Sequence, residues 1–527
     1  RYISVTGVQT CALPILRITP DSARIYIDTS DAKGAKGGFA VGGLSTQGKA
    51  IPYELFRVTK DSTRVYIADD AAKGAKGGFA VGGLSTQGKG SSYELLRVTK
   101  DSTRVYVNEG AKGAKGGFAV GGLSTQGKTT APQFLNITPD NYFIGHESGK
   151  SVTSGLYNSF LGYQTGVLNS LGSSNSFMGY RAGYSNVDGS NNLFIGYQSG
   201  YSNSSGSYNS FLGYLAGYAN TIGKANTFLG SYTGQMNTSG SSNTFIGFST
   251  GMSNLIGLGN VFIGDSTGLF NYSGSNNVFI GSKSGYSNSS GNDNIFIGQN
   301  SGFYNVAGEK NTFLGFNAGN RNNGSYNIFL GSEAGFWNQT GQYNCFIGYR
   351  SGFISMNASY NTFIGFESGR GTHAGTANVF LGYQTGYSNA SGSNNIYIGN
   401  EAGYNNDSNN NVYIGTYSGK MSNGGKNTFI GYKTGYNATQ GDKNVFIGDS
   451  TGYNSYSGNQ NVFIGSSAGV SNIGSSNVFI GASTGLQNYE GVSNVFLGQA
   501  AGMKNANGSY SNYIGYKAGY ENVSGSN

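Results

Sequence analysis

Asn175-Ser-Phe177-Met-Gly179-Tyr-Arg-Ala182-Gly183-Tyr184-Ser-Asn186-Val-Asp-Gly189-Ser-Asn191 is one copy of a unit that fills residues 141–527. Counted on its aromatic residue, the unit recurs at Phe143, Phe160, Phe177, Phe194, Phe211, Phe228, Phe245, Phe262, Phe279, Phe296, Phe313 and onward to Tyr513. There are 23 copies, and of the 22 intervals 18 are 17 residues long and four are 16. The aromatic is Phe in 20 copies and Tyr in three: Tyr397, Tyr413 and Tyr513. The residue after it is always Ile, Leu or Met, and the residue before it is usually Val, Thr, Ser or Ile. Alternation along a strand puts the aromatic on one face and its two neighbours on the other. Glycine follows two and six residues after the aromatic in every copy. Between the glycines stands a residue that is always Ala, Ser or Thr, such as Ala182, Thr233 or Ser284. The pattern predicts a tight packing corner there and a backbone that needs glycine on both sides. The Asn before each strand and the Asn-x-x-Gly after it read as turn chemistry.

A 17-residue unit has too little apolar surface for a core of its own, but stacked copies share one. Stacked in register at about 4.8 Å per coil, 23 copies span on the order of 110 Å. The aromatics from Phe160 to Phe313 and beyond then form an internal ladder, each ring contributing roughly 2 kcal/mol of gross burial energy. Asn columns can add hydrogen-bond ladders. The 16-residue copies should fit as loop deletions, because Phe-Ile-Gly survives in each. The sequence therefore predicts an all-β fold, a parallel β-solenoid or β-roll of stacked 17-residue coils.

Residues 16–140 hold a different repeat of about 40 residues. Arg17-Ile-Thr-Pro-Asp-Ser-Ala-Arg-Ile-Tyr-Ile27 returns in similar form at 57–67 and 97–107. Their alternating, β-branched Arg-Val-Tyr-Ile stretches read as strands of a β-rich stalk. Each is followed by Ala-Lys-Gly-Ala-Lys-Gly-Gly-Phe-Ala-Val-Gly-Gly-Leu-Ser-Thr-Gln-Gly-Lys, at 32–49, 72–89 and 111–128, with Gly-Phe-Ala-Val-Gly as a second short strand. Residues 1–15 resemble nothing downstream. They look like translated sequencing-adapter read-through of the kind met in environmental assemblies, with an ordinary N-terminal strand as the alternative, and are set aside from fold reasoning. The last residues, Gly525-Ser-Asn527, stop inside a copy, so the chain is expected to be part of a longer one.

Composition narrows the function classes. Glycine, at 91 of 527 residues, lacks the three-residue period and abundant proline of collagen. Two cysteines, Cys11 and Cys345, do not make a disulfide scaffold. No apolar run reaches the length of a membrane span, so no membrane insertion is expected. The two histidines, His146 and His373, stand far apart and outside any ligand cluster, which argues against a zinc site or a histidine triad. The 13 carboxylates of residues 141–527 recur at no fixed position, so neither paired acid–base chemistry nor repeat-wide calcium is expected. Gly122-Leu-Ser-Thr-Gln-Gly127-Lys128-Thr129 satisfies the phosphate-loop pattern, but its sibling copies end in Ala50 and Gly90, so a chance match is favoured. Residues 1–140 carry 18 basic against 11 acidic side chains. The bland reading is lysine keeping turns solvated; attachment to nucleic acid or anionic glycan is the other, and no nucleic-acid partner is expected. The sequons at Asn203, Asn237, Asn288 and Asn389 follow from composition.

Two aromatic columns remain. One holds Tyr184, Tyr201, Tyr218, Tyr286, Phe303, Phe336, Tyr387, Tyr404, Tyr436, Tyr453 and Tyr520. The other, directly after the strand glycine, includes Tyr163, Tyr180, Tyr197, Tyr214, Tyr349 and Tyr383. They read either as packing between coil edges or subunits, or as platforms for sugar rings.

The unit at Asn175–Gly189 resembles the Asn-Thr-Ala-Ile-Gly-x-x-Ala-Leu repeat of bacterial and phage tail-fibre-domain proteins. It also looks like a lengthened YadA-like head repeat of trimeric autotransporter adhesins. The strand, its glycine and the Asn-x-x-Gly turn correspond. Phe stands where that family more often has Ala, and Gly where it often has Leu, which bears on coil cross-section and subunit packing. The stalk blocks are similar to upstream segments of such proteins, notably from Bacteroidetes-type bacteria. The resemblance implies an elongated fibre, homotrimeric, at the cell surface or on a virion tail. The expected function is non-enzymatic and free of cofactor and metal: an adhesin-like fibre presenting a repetitive surface to cells or glycans. The alternative is a purely structural filament or tail-fibre shaft with no ligand of its own. Ice binding is weak, because the position before Phe mixes Val, Ser, Thr and Ile.

Overall fold

The computed structural model describes residues 133–525, and before them the backbone of seven strands: Leu16–Thr19, Ser22–Tyr26, Glu54–Thr59, Ser62–Ile67, Tyr93–Thr99, Thr103–Val105 and Phe118–Gly121. Residues 1–15, the lysine-rich blocks apart from Phe118–Gly121, and Gly122–Thr129 lie outside the described residues. The chain divides into two units, up to Tyr142 and from Phe143.

In the first unit the six strands from Leu16 to Val105 form one antiparallel sheet in chain order. Each run contributes two antiparallel strands, the expected one that holds Arg24, Arg64 or Arg104 and another before it. Thr59 pairs with Ser62 and Arg57 with Arg64, leaving two residues between the paired ends. Phe118–Gly121, read as a short strand, pairs antiparallel with Gln133–Ile137.

The second unit is a parallel β-solenoid. Each complete coil carries a single short strand, such as Ser176–Met178 or Val261–Ile263, with the central ring buried and its neighbours outward. Neighbouring strands pair in parallel with core ring opposite core ring, Phe on Phe except at Tyr397, Tyr413 and Tyr513. The rings from Phe160 to Phe313 are 0–1% exposed. They stack at 4.7–4.9 Å between centroids with nearly parallel planes, so the ring spacing is the strand spacing.

Two glycine positions have different causes. A Cβ at Gly264 would lie 2.9 Å from the backbone of Gly281 in the next coil, and its φ of +133° is itself out of reach for most side chains. A Cβ at Gly200, φ +58°, would lie 2.6 Å from the Phe194 ring of its own coil. The small residue between them is fully buried, as at Ala182, Thr233 and Ser284. Where it is Thr, its hydroxyl donates to the carbonyl of the next coil's strand glycine, as Thr165 Oγ1 does to Gly179 O at 2.8 Å.

The asparagines form the expected hydrogen-bond columns, and these are buried. Asn175 and Asn186 belong to two columns buried inside the stack. In the first, the Asn175 backbone N–H donates to Asn158 Oδ1 of the preceding coil at 3.0 Å, and Asn175 Nδ2 donates to Gly189 O at 2.9 Å. In the second, Asn203 Nδ2 donates to Asn186 Oδ1 of the preceding coil at 2.6 Å and to Gly206 O of its own coil at 2.9 Å. Each amide satisfies groups that water would otherwise have to reach, which a dry interior requires.

Backbone hydrogen bonds also run both ways along the axis. Gly166 N–H and Leu168 N–H donate to the next coil, whereas Gly162 N–H and Gln164 N–H donate to the preceding one. The reversal needs positive φ at Gly162 and at Gln164, a residue type that seldom adopts it. The 16-residue copies keep the register, with Phe313 opposite Phe329 and Tyr397 opposite Tyr413. They shorten the Asn-x-x-Gly segment by one residue, so that Asn322 Nδ2 reaches Gly324 O two residues on.

Candidate functional site

The exterior of the solenoid is organised in columns set by the same repeat. Directly after the strand glycine stand Tyr163, Tyr180, Tyr197 and Tyr214, all exposed and stacked at 5.1–5.4 Å. Tyr349 and Tyr383 of the same column flank Phe366. The other column holds Tyr184, Tyr201 and Tyr218 stacked at 5.1 and 5.2 Å, Tyr286 on Phe303, Tyr387 on Tyr404 and Tyr436 on Tyr453. Its rings are half-buried. In both columns neighbouring ring faces cover one another, leaving mainly edges and hydroxyls to the outside. A sugar ring seeking a flat apolar face finds one only where a column is interrupted.

Interruptions in the second column show what the position requires. Arg370 replaces an aromatic there, and its guanidinium lies over Phe353 at 5.6 Å and over Tyr387 at 5.2 Å. Arg370 Nη1 also donates to Tyr387 Oη at 2.9 Å. Lys420 lies likewise between Tyr404 and Tyr436, at 5.6 and 5.8 Å, and pairs with Glu401. From Phe336 to Tyr453 the column is thus a continuous stack in which cations stand in for rings.

Between the two aromatic columns runs a polar ladder on residues of positive φ. Gln164 Nε2 donates to Glu147 Oε2 and Arg181 Nε to Gln164 Oε1, each at 2.8 Å. Arg181 lies over both Tyr180 and Tyr184. Hydrogen bonds from Lys150 and Gln164 hold the Glu147 carboxyl below the usual carboxylate range. This ladder had no signal in the sequence, because the side chains differ from copy to copy and only the backbone repeats. A third column of tyrosines, at the residue before each buried Asn, includes Tyr326, Tyr343 and Tyr360, stacked at 4.8 and 5.1 Å.

The remaining sequence candidates separate cleanly. Asn203, Asn237, Asn288 and Asn389 are fully buried in the second Asn column, so these sequons are closed to a glycosyltransferase in the folded solenoid. His146 stacks on Tyr163, and His373 lies more than a dozen coils further on. Among the described residues no group of three His, Cys, Asp or Glu could hold a metal ion. No helix there is long and apolar enough to cross a membrane. An open notch of about 300 Å³, lined by Asp407, Asn409, Asn410, Lys426, Asp442 and Lys443, lies where two 16-residue coils follow one another.

The fold and these columns define a β-solenoid repeat protein. No family model, no curated protein and no solved structure matches the chain.

Proposed function

We propose that this chain is a non-enzymatic fibre protein whose solenoid acts as a stiff spacer at a cell surface or on a virion tail. One observation carries the reading: the repeated interior groups interact chiefly with the neighbouring coil. The Phe rings, both Asn columns, the Thr hydroxyls and the backbone amides all act along the axis. Such a stack resists extension and bending together. Electron microscopy of the full chain should show particles containing a straight segment of about 105 Å, from 22 steps of about 4.8 Å. Compact particles without that segment would overturn the reading.

Attachment to surface glycans is the second reading, favoured by the outward hydroxyl edges of Tyr163, Tyr180, Tyr197 and Tyr214. Glycan-array binding that is lost when these four become Ser supports it, and an array without signal removes it.

Self-association, as a homotrimer, completes the proposal. The two outward columns flanking the buried rings carry no charged residue in any of the 23 copies. Leu161, Met178, Leu212, Ile295 and Leu381 among them are about 40% exposed. A strip about 100 Å by 10 Å gives on the order of 1,000 Å², above the apolar patch of a typical monomer and near one side of a stable interface. The column before the ring grades from Ser159, Ser176 and Ser210 to Val445, Val462, Val478 and Val495, so parallel copies match apolar with apolar. Light scattering should give a multiple of 55.0 kDa, three-fold for the trimer. A monomer mass for the unmodified chain sinks it.

A further inference from the structure

The antiparallel sheet of the first unit brings six arginines into one row. Its register pairs Arg17 with Arg24, Arg24 with Arg57, Arg57 with Arg64, Arg64 with Arg97, and Arg97 with Arg104. Partners in an antiparallel pair share a face, so all six belong to the same face of the sheet. A second row runs beside it, two residues along each strand: Thr19 with Ser22, Ser22 with Thr59, Thr59 with Ser62, and Ser62 with Thr99. The opposite face holds Ile18, Ile25, Val58, Val65, Val98 and Val105 and no charge. The alternation gives the sheet one apolar and one polar face, and the arginine row belongs to the polar one. The acidic residues of this face are Glu54 and Glu94, placed past a bulge opposite Tyr26 and Tyr66. Asp21, Asp61 and Asp101 stand between the paired strands. Two carboxylates on the face do not neutralise six guanidinium groups.

Like charges directly opposite one another destabilise a sheet. Yet the 40-residue repeat places two arginines in the row each time it recurs. We propose that this row is a binding site for a linear acidic polysaccharide, one bearing sulfate or carboxylate groups along its length. Arginine takes such oxyanions in a two-pronged hydrogen-bonded pair. The adjoining Ser/Thr row offers hydroxyls to the remaining oxygens or to the sugar. Rows one strand apart recur at about 4.8 Å, close to the length of one sugar in an extended chain. A single-stranded nucleic acid would call instead for a run of aromatic platforms beside the charges. Among the described residues the register places Tyr26 and Tyr66 there and no longer run. The site lies outside the solenoid, and the proposal stands whether or not the tyrosine columns bind anything.

The test uses the full chain with heparin as the sulfated probe, alginate as the carboxylated one, neutral dextran and a single-stranded oligonucleotide. Replacing Arg57, Arg64 and Arg97 by Gln should weaken heparin or alginate binding by about tenfold or more. The equal charge loss Lys73→Gln, Lys76→Gln and Lys112→Gln should change it less than about twofold, with dextran silent throughout. The triple Lys variant of the same arginines keeps charge and loses the fork, and should fall between. Unfolding without ligand reports on the fold: the Gln variant should be no less stable than the parent, because like-charge repulsion is relieved. Equal losses from the arginine and lysine sets, no loss from either, or tighter binding of the oligonucleotide than of both polysaccharides would overturn the proposal. Should the Gln variant unfold, the charge-keeping Lys variant alone decides: unchanged heparin and alginate binding overturns it.

Discussion

The coils from Phe194 to Phe313 and those from Tyr397 to Phe429 solve one packing problem in two ways. In the first stretch every core ring is Phe and every residue of the second buried column is Asn, from Asn203 to Asn322. In the second stretch that column reads Asn406, Ser422 and Ala438, two coils are one residue short, and two core rings are Tyr. The changes are coupled. A tyrosine hydroxyl extends from the core ring toward the Asn column. Tyr413 Oη meets Ser422 Oγ at 2.9 Å and accepts from Asn406 Nδ2 at 3.1 Å, occupying the room a longer Asn would need. Tyr397 has no such partner for its hydroxyl, and Asn389 Oδ1 of the preceding coil is also without one. The interior is therefore a set of interlocking columns, in which a substitution in one is tolerated when its neighbour column answers it.

The largest effect should come from the backbone that both stretches share. Gly264→Ala sets a Cβ against the next coil at a φ reserved for glycine, and should cost about 3 kcal/mol or more. Gly425→Ala, within the irregular stretch and without positive φ, should cost below about 1 kcal/mol. Urea unfolding of the two variants gives the difference directly; equal costs would show that the glycines answer to something other than coil contact. Of comparable size, Phe279→Ala should lose about 3–5 kcal/mol, since the ring is fully buried between two others.

Smaller and more telling is the sign at the two tyrosines. Tyr413→Phe leaves the Ser422 hydroxyl without its partner, removes one acceptor of Asn406 Nδ2 and should destabilise by about 1 kcal/mol. Tyr397→Phe removes a buried hydroxyl that has no partner and should be neutral or stabilising by about 1 kcal/mol. The same sign for both would break the coupling between columns. The least effect concerns pH. Burial pushes both phenols well up from their usual range. A group raised in the folded state stabilises fully below its unfolded value and loses that contribution as pH rises toward the folded one. Stability should thus decline above about pH 10, where unfolded tyrosine ionises. Absorbance titration should show these two phenols ionising only with unfolding.

Much of this interior was legible because side-chain identity repeats there. Phe177, Ala182 and the two glycines carry their demands in residue type, and the single strand per coil follows from Ser176-Phe177-Met178. Asn175 and Asn186 read both as turn chemistry and as hydrogen-bond columns; the columns are there and the Asn-to-Gly bond of the second one closes a turn, but the letters did not show that both lie buried. Only stacking does. Gln164 and Arg181 gave no sign of positive φ, since the conformation is imposed by N–H groups that reach back to His146 and Tyr163 and not by the side chain. The tyrosine columns were visible as columns. That their faces cover one another follows from ring orientation, which spacing alone does not give.

Copies of 17 and of 16 residues advance the stack by one equal step. Electron–electron resonance between spin labels at Tyr383→Cys and Ser466→Cys, with Cys11 and Cys345 replaced by Ser, tests it across the irregular stretch. These sites lie 83 residues and five coils apart. Equal steps predict a narrow distribution near 24 Å, allowing for the label arms; a broad distribution, or one centred well beyond that length, would contradict the stack.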